Sequence, residues 1–302
     1  MPWGFVLRQL AQSWATSRVR ESVQQAAESH GAEQQADADD STSTPTSVSS
    51  DETVAPNQFA NVDIGIVCAL NIEAGCFTDR LGVKSNVRGN GFEVIQGFLG
   101  KRPIAVMLCG VGAEAAQRGC EALLAGHRPR WVISAGFAGG LQPQIKRGDL
   151  VLATQVQDTA GRQLAIDFKG SLPAPPGLAI HQGKLLTSER ILASVSEKQA
   201  TGQSTGALAV EMETMAVATV CTNAGQRFLS LRVISDAMDE EVPRDVEKLI
   251  AAKTGVQRAG TILGGLFRRP SLVKDLWRLQ EQALVSAENL AKGLETLIAA
   301  LP

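Results

Sequence analysis

From Asn61 to Asp236 short apolar runs alternate with stretches of helical periodicity, and no other feature of the chain narrows its fold as much. DIGIVCAL (63–70) reads as a buried strand and NIEAGCFTDRLG (71–82) as a helix turning away from it. FEVIQGFLGKRPIAVMLCGVG (92–112) reads as two strands joined at Gly100-Lys101, AEAAQRGCEALLAGH (113–127) as a helix, and WVISAGF (131–137) as a strand. DLVLATQVQD (149–158) is another strand, and GKLLTSERILASVSEK (183–198) is a strand running into a helix. ALAV (207–210) is a short strand, METMAVATVCTNAG (212–225) a helix ended by its glycine, and RFLSLRVISD (227–236) a strand. This alternation predicts a three-layer α/β domain with a mixed or largely parallel central sheet. Ligands of such sheets bind beyond the carboxyl ends of the strands. Glu73, the glycines from Gly136 to Gly140, the pair Glu211 and Glu213, and Asp236 all fall at such ends.

The remainder of the chain is of a different kind. Residues 21–60 are rich in Ser, Thr, Gln, Asp and Pro and poor in large apolar side chains, the composition of a disordered linker. Residues 1–20 place Trp3, Val6, Leu7, Leu10 and Trp14 at helical spacing beside Arg8, Arg18 and Arg20, with no acid. That pattern predicts a short amphipathic helix. It would dock on a membrane surface or a partner, serve as a transit peptide, pack on its own domain, or stem from an upstream start codon. Residues 61–302 then form the folded domain with a helical C-terminal extension. There Val246, Leu249, Ile250, Leu276, Trp277, Leu279, Leu284, Leu290, Leu294 and Leu297 form an apolar stripe for packing on the sheet or a second subunit.

A formal net charge of -2 over 302 residues leaves no basic stripe for a nucleic acid. The five cysteines include no C-x-x-C pair, which argues against a disulfide framework or a metal site and for a reducing cytoplasm.

The segment AVEMETMAVA (209–218) sets two carboxylates in an otherwise apolar run. A buried charge needs a partner or a ligand, because an unpaired one costs several kcal/mol or is neutralised. Each acid has a plain structural use, since a carboxylate in a first helical turn complements the helix dipole and an Asp caps or turns. The glycines of AGFAGG also suit an ordinary tight turn. Those uses do not account for all of the acids arriving in this order and spacing.

A-L-N-I-E (69–73), S-A-G-F-A-G-G-L (134–141) with R-G-D-L-V (147–151), A-V-E-M-E (209–213) and R-V-I-S-D (232–236) together resemble the nucleoside phosphorylase and nucleosidase superfamily. The likeness spans roughly 61–242 and is greatest to the 5′-methylthioadenosine/S-adenosylhomocysteine nucleosidases. It implies hydrolysis of the N-glycosidic bond of a purine nucleoside, giving free base and a ribose derivative. In that chemistry positive charge builds on the ribose while the departing base gains negative charge. The resemblance makes Asp236 the acid at the purine N7, presented by Ser235 and needing a pKa raised by an apolar wall. It makes Glu73 the base for an attacking water, Glu213 the grip on the ribose hydroxyls, and Met212 a packing surface for the sugar. Phe137, Ala138 and Gly139 would lie beside substrate, and Phe168 would stack on the base. Glu211 is read as a structural partner of Arg232.

Phosphorolysis is the alternative. It requires a site for a phosphate dianion, for which Gly110, Gly112, Arg80, Arg88 and Arg232 are the candidates. Phosphate would then be the only co-substrate, and otherwise no cofactor or metal is implied. Hexameric phosphorylases carry G-D-P-x-R after their first strand where this chain has A-L-N-I-E, which favours water, although the hopanoid-associated branch shares E-M-E and S-D. Phe137 also stands where the nucleosidases carry a serine. A non-catalytic nucleoside-binding protein is the reading from another class. The resemblance further implies a homodimer or larger homo-oligomer.

Overall fold

The computed structural model describes residues 59–89, 92–168, 172–242 and 272–302, with side chains of the last stretch from 281 onward. The helix expected over 1–20, nearly all of the linker expected over 21–60, and Val246, Leu249 and Ile250 lie outside the described residues.

β1 (Ile64–Cys68) is buried along its whole length. It pairs in parallel with β4 (Arg102–Leu108) on one edge and β5 (Trp131–Gly140) on the other, so neither edge meets water. The period-two pleat then sorts its side chains between two cores. Ile64, Ile66 and Cys68 join Ala74 and Phe77 of α1 (Asn71–Thr78) and Leu290, Leu294 and Leu297 of α5 (Leu272–Ala300). Val67 faces the other way, in a cluster with Ala116, Cys120 and Leu123 of α2 (Ala113–His127) and Val217 and Cys221 of α4 (Thr214–Asn223). Helices on both faces of one sheet make the three layers expected from the sequence.

The sheet is mixed, and one end of it closes. β10 (Arg227–Asp236) pairs in parallel with β5 and antiparallel with β6 (Leu150–Asp158). β6 continues to β8 (Ile180–Thr187), β8 to β9 (Ala209–Glu211), and β9 returns antiparallel to β5. These five strands form a hydrogen-bonded ring, from which β1, β4, β3 (Phe92–Leu99) and β2 (Gly82–Gly89) extend. The sheet is therefore partly closed, a feature that only pairing between distant strands reveals. β2 and the short β7 (Gln163–Ala165) were not read from sequence, and all eight residues of β2 are exposed, so no burial pattern marks it.

α3 (Val195–Thr205) begins at Ser194, whose side chain accepts from Glu197 N–H, and ends at Gly206 with φ 65°. A Cβ on Gly202 would sit 2.0 Å from the carbonyl oxygen of Leu141, so only glycine allows α3 this close to the chain leaving β5. Lys198, on the same helix, is completely sealed from solvent. α5 is tied to the domain by Arg80, which pairs with Glu288 at 2.5 Å and also with Glu295. Its stripe holds at Leu290, Leu294 and Leu297, whereas Leu284 is exposed; the side chains of Leu276, Trp277 and Leu279 lie outside the described residues. Among the described residues no helix is long and apolar enough to cross a membrane.

Candidate active site

The residues read from sequence converge on a buried arginine. Arg232 lies in β10 opposite Gly136 of β5 and is only 1% exposed. Its Nη2 is 2.7 Å from Glu211 Oε2 and donates to Ser134 Oγ at 2.7 Å and Thr214 Oγ1 at 2.8 Å. Its Nε–H finds no acceptor among the described residues. Burial pulls the guanidinium toward neutrality, but Glu211, Glu213 and Glu73 outweigh it and the net shift is upward. The arginine is held charged by carboxylates around it.

Glu211 ends β9 and faces inward. Besides Arg232 it accepts from Thr187 Oγ1 at 2.5 Å and from the backbone N–H groups of Glu213 (2.9 Å) and Thr214 (2.8 Å). It thus satisfies donors at the start of α4, the ordinary task of an acid at a helix N-terminus. Glu213, the N-cap residue of α4, is committed much less. Its Oε1 accepts from Gly112 N–H at 2.8 Å, at the start of α2. Burial, then the neighbouring Glu211, push its carboxyl up to about 7 against the pull of Arg232.

Glu73 reaches the same place from the first turn of α1. Oε2 accepts from Ala69 N–H (3.1 Å) and Leu70 N–H (2.8 Å), and Oε1 from Phe137 N–H at 2.8 Å. Burial raises its pKa despite Arg232 and those three donors. Gly136 makes the meeting possible: a Cβ there would lie 2.4 Å from Arg232 Nη1 and 2.6 Å from Glu73 Oε1.

Asp236 stands opposite Gly139 in the same strand pair, and a Cβ on Gly139 would come within 3.0 Å of its Oδ2. Positions 136 and 139 on one extended strand are about 10 Å apart. The β5 glycines therefore give backbone clearance first to Arg232 and Glu73 and then to Asp236. Asp236 Oδ1 accepts from Ser235 Oγ at 2.6 Å, and Oδ2 from Lys198 Nζ. On the Oδ2 side Asp236 therefore meets a charged partner, not the apolar wall expected there. A lysine brought by α3 lies there, and it also donates to the carbonyls of Ala237 (3.0 Å) and Glu240 (2.7 Å).

The other candidates fall into two groups. Met212 lines a cavity of about 820 Å³ with Thr187, Ser188 and Met215, and Glu73, Glu211, Glu213, Arg232 and Asp236 are not part of its lining. Ala138 accepts at its carbonyl from Ser235 Oγ at 3.3 Å, which ties the glycine strand to the end of β10. Phe137 and Phe168 are half-buried against the main core. The residues considered for an anion site do not assemble into one. Arg80 is engaged with α5, Arg88 is exposed and pairs with Glu93 at 3.1 Å, Arg232 faces carboxylates, and Gly112 N–H is given to Glu213. Gly110 N–H goes to the Ala69 carbonyl at 3.1 Å. Among the described residues no cluster of His, Cys, Asp and Glu is suited to a metal ion.

Sequence reasoning missed Ser134, Thr187, Thr214 and Lys198. The first three are small hydroxyls whose use depends on strand register. Lys198 sits in VSEKQATGQST, which reads as a solvent-facing helix, and its partner is 38 residues away.

Known proteins share this arrangement of the chain. The structure is similar to 5′-methylthioadenosine/S-adenosylhomocysteine nucleosidase from Neisseria meningitidis in complex with methylthio-immucillin-A, with TM-score 0.60 and 22% identity over 79% of this chain and 99% of that one. It is similar to S-adenosylhomocysteine nucleosidase from Streptococcus pyogenes, with TM-score 0.61 and 19% identity over 81% and 99% of the two chains. A futalosine hydrolase mutant of Helicobacter pylori strain 26695 gives TM-score 0.58 and 19% identity over 79% and 99%. A sequence model of the phosphorylase superfamily matches residues 63–179 and 169–268, a span that contains Glu73, Glu211, Glu213 and Asp236. With its sheet, its site residues and most of its length inside that match, the chain belongs to the phosphorylase superfamily.

Proposed function

We propose that this chain hydrolyses the N-glycosidic bond of a purine nucleoside of the methylthioadenosine or adenosylhomocysteine type. The observation that carries the reading is the charge balance of the buried cluster: the three carboxylates of Glu73, Glu211 and Glu213 surround the one guanidinium of Arg232. Such a site repels a phosphate dianion and favours a ribose that becomes cationic, since charges a few ångströms apart interact by several kcal/mol in a partly dry site. The arginines a phosphorylase would use are engaged elsewhere.

In this reading Glu213 accepts hydrogen bonds from the ribose hydroxyls and its charge steadies the developing cation. Glu73, already oriented by three backbone donors, takes a proton from the water that attacks C1′. Glu211 fixes Arg232 and the start of α4. Asp236, aligned by Ser235, serves N7 of the departing base. Met212 packs along the sugar, and Phe168 flanks the base. The chemistry draws on side chains and water alone.

The test is release of free base from methylthioadenosine, adenosylhomocysteine and inosine, with and without phosphate. Base released without phosphate is the expected result. Release that requires phosphate would replace hydrolysis by phosphorolysis, and binding with no release would make the chain a nucleoside-binding protein.

A further inference from the structure

Lys198 has no part in the site as read from sequence, yet it is the most thoroughly sequestered charge beside it. It is 0% exposed, while the Asp236 side chain keeps 17% of its surface open. Each of its three ammonium hydrogens has an acceptor: Asp236 Oδ2, the Ala237 carbonyl and the Glu240 carbonyl. The Glu240 carboxylate is occupied with Arg147 (2.8 Å) and Ala237 N–H (2.7 Å), so Asp236 is the carboxylate that Lys198 engages.

This hydrogen-bond geometry accommodates two proton arrangements. As an ammonium, Lys198 donates to all three acceptors. As a neutral amine it keeps two N–H bonds for the two carbonyls and turns its lone pair to an Asp236 that now bears the proton. Neither arrangement leaves a buried polar atom unpaired, whereas an isolated buried lysine would be costly. Because Lys198 meets no solvent, Asp236 is its path into the site.

We infer that Lys198 is the positioning residue through which Asp236 obtains the proton it delivers to the base. The inference rests on the nucleosidase reading above. As the C1′–N9 bond breaks, its electron pair goes to the purine and N7 takes a proton from the Asp236 carboxyl group. That proton reaches Oδ2 from Lys198 Nζ, so its delivery to N7 leaves a neutral amine beside the Asp236 carboxylate. Water adds to C1′ and gives its proton to Glu73. After product release Glu73 returns a proton to solvent and the Lys198–Asp236 pair regains one, so the cycle consumes only water.

The experiment compares wild type, Lys198→Met, Asp236→Asn and the double variant on two substrates. One is the purine nucleoside that wild type cleaves fastest. The other is a 4-nitrophenyl riboside with the same 5′ substituent, whose leaving phenolate needs no proton at a ring nitrogen. We expect Lys198→Met to lower kcat on the purine substrate by about 100-fold or more, the usual scale of general-acid catalysis. KM, and kcat on the nitrophenyl riboside, should each change by less than about threefold, the mark of a step specific to leaving-group protonation. The double variant removes both charges together, so it leaves neither buried and unpaired and is the safer form for folding. It should be no slower on the purine than Asp236→Asn alone, because groups that act as a unit are not additive. An unchanged purine kcat in Lys198→Met, equal losses on both substrates, or a double variant clearly slower than Asp236→Asn would overturn the inference. A wild type that cleaves no nucleoside would instead sink the nucleosidase reading, and this inference with it.

Discussion

Glu213 is the residue in which burial, helix capping and charge meet, and its behaviour with pH follows from them. Its folded pKa is pushed up to about 7, above the usual carboxylate value, with desolvation as the main cause. The folded protein therefore holds a proton that the unfolded chain has released, and stability falls as pH rises through that interval. A displacement of this size is worth on the order of 3 kcal/mol. Glu213→Gln keeps an acceptor for Gly112 N–H but cannot ionise. Melting measured at pH 5.5 and pH 8 should show a larger loss for wild type than for this variant; parallel losses would refute the assignment. On the proposed mechanism the carboxylate form is the active one, so kcat/KM should climb through the same region. Gly136 gives a steric counterpart. Gly136→Ala drives a methyl group into Arg232 and Glu73, and overpacking of this kind costs about 1–3 kcal/mol. On the proposed mechanism it should also lower kcat at least about tenfold by displacing Glu73. Glu211 and Glu213 were legible because charge inside an apolar run demands a reason, and Glu73 and Asp236 because they stand at the carboxyl ends of strands within motifs that resemble a known superfamily. Lys198 was not, since a lysine in a polar helix demands none.

Among the elements, α3 shows how packing sets a site from outside it. Its start at Ser194 and Glu197 carries a capping signature visible in the text, and Gly206 marks its end. What the text does not disclose is that Gly202 rests on the Leu141 carbonyl. Gly202→Ala must move the helix or the strand exit, and a loss of about 3 kcal/mol in urea unfolding is expected, the upper part of the overpacking range. Lys198 shifts with α3, so the proposed nucleosidase activity should fall together with stability. A variant with wild-type stability would refute that close approach. The strands show the same division. β1 and β5 announce themselves as unbroken apolar runs because they are covered on both faces. β2, exposed along its length, leaves no such trace, and the pairing of β9 with β5 joins residues about seventy positions apart.

At the level of the whole molecule, the contacts that build the cluster all lie between Ala69 and Glu240. The solved chains named above align over 99% of their own lengths with about four fifths of this one. A chain starting at Pro56 keeps Phe59, whose carbonyl lies 2.8 Å from His127 Nδ1, and should retain kcat within about threefold and a similar melting temperature. A large loss of turnover would give residues 1–55 a part in catalysis. The closed circuit of β5, β10, β6, β8 and β9 also governs how the protein can come apart. Opening it severs two seams at once, while β2 can peel away alone. In deuterium labelling, amides of Val132–Ala135 and Leu229–Val233 should therefore be the last to exchange, so the floor of the candidate site stays shut through every partial opening of the outer strands.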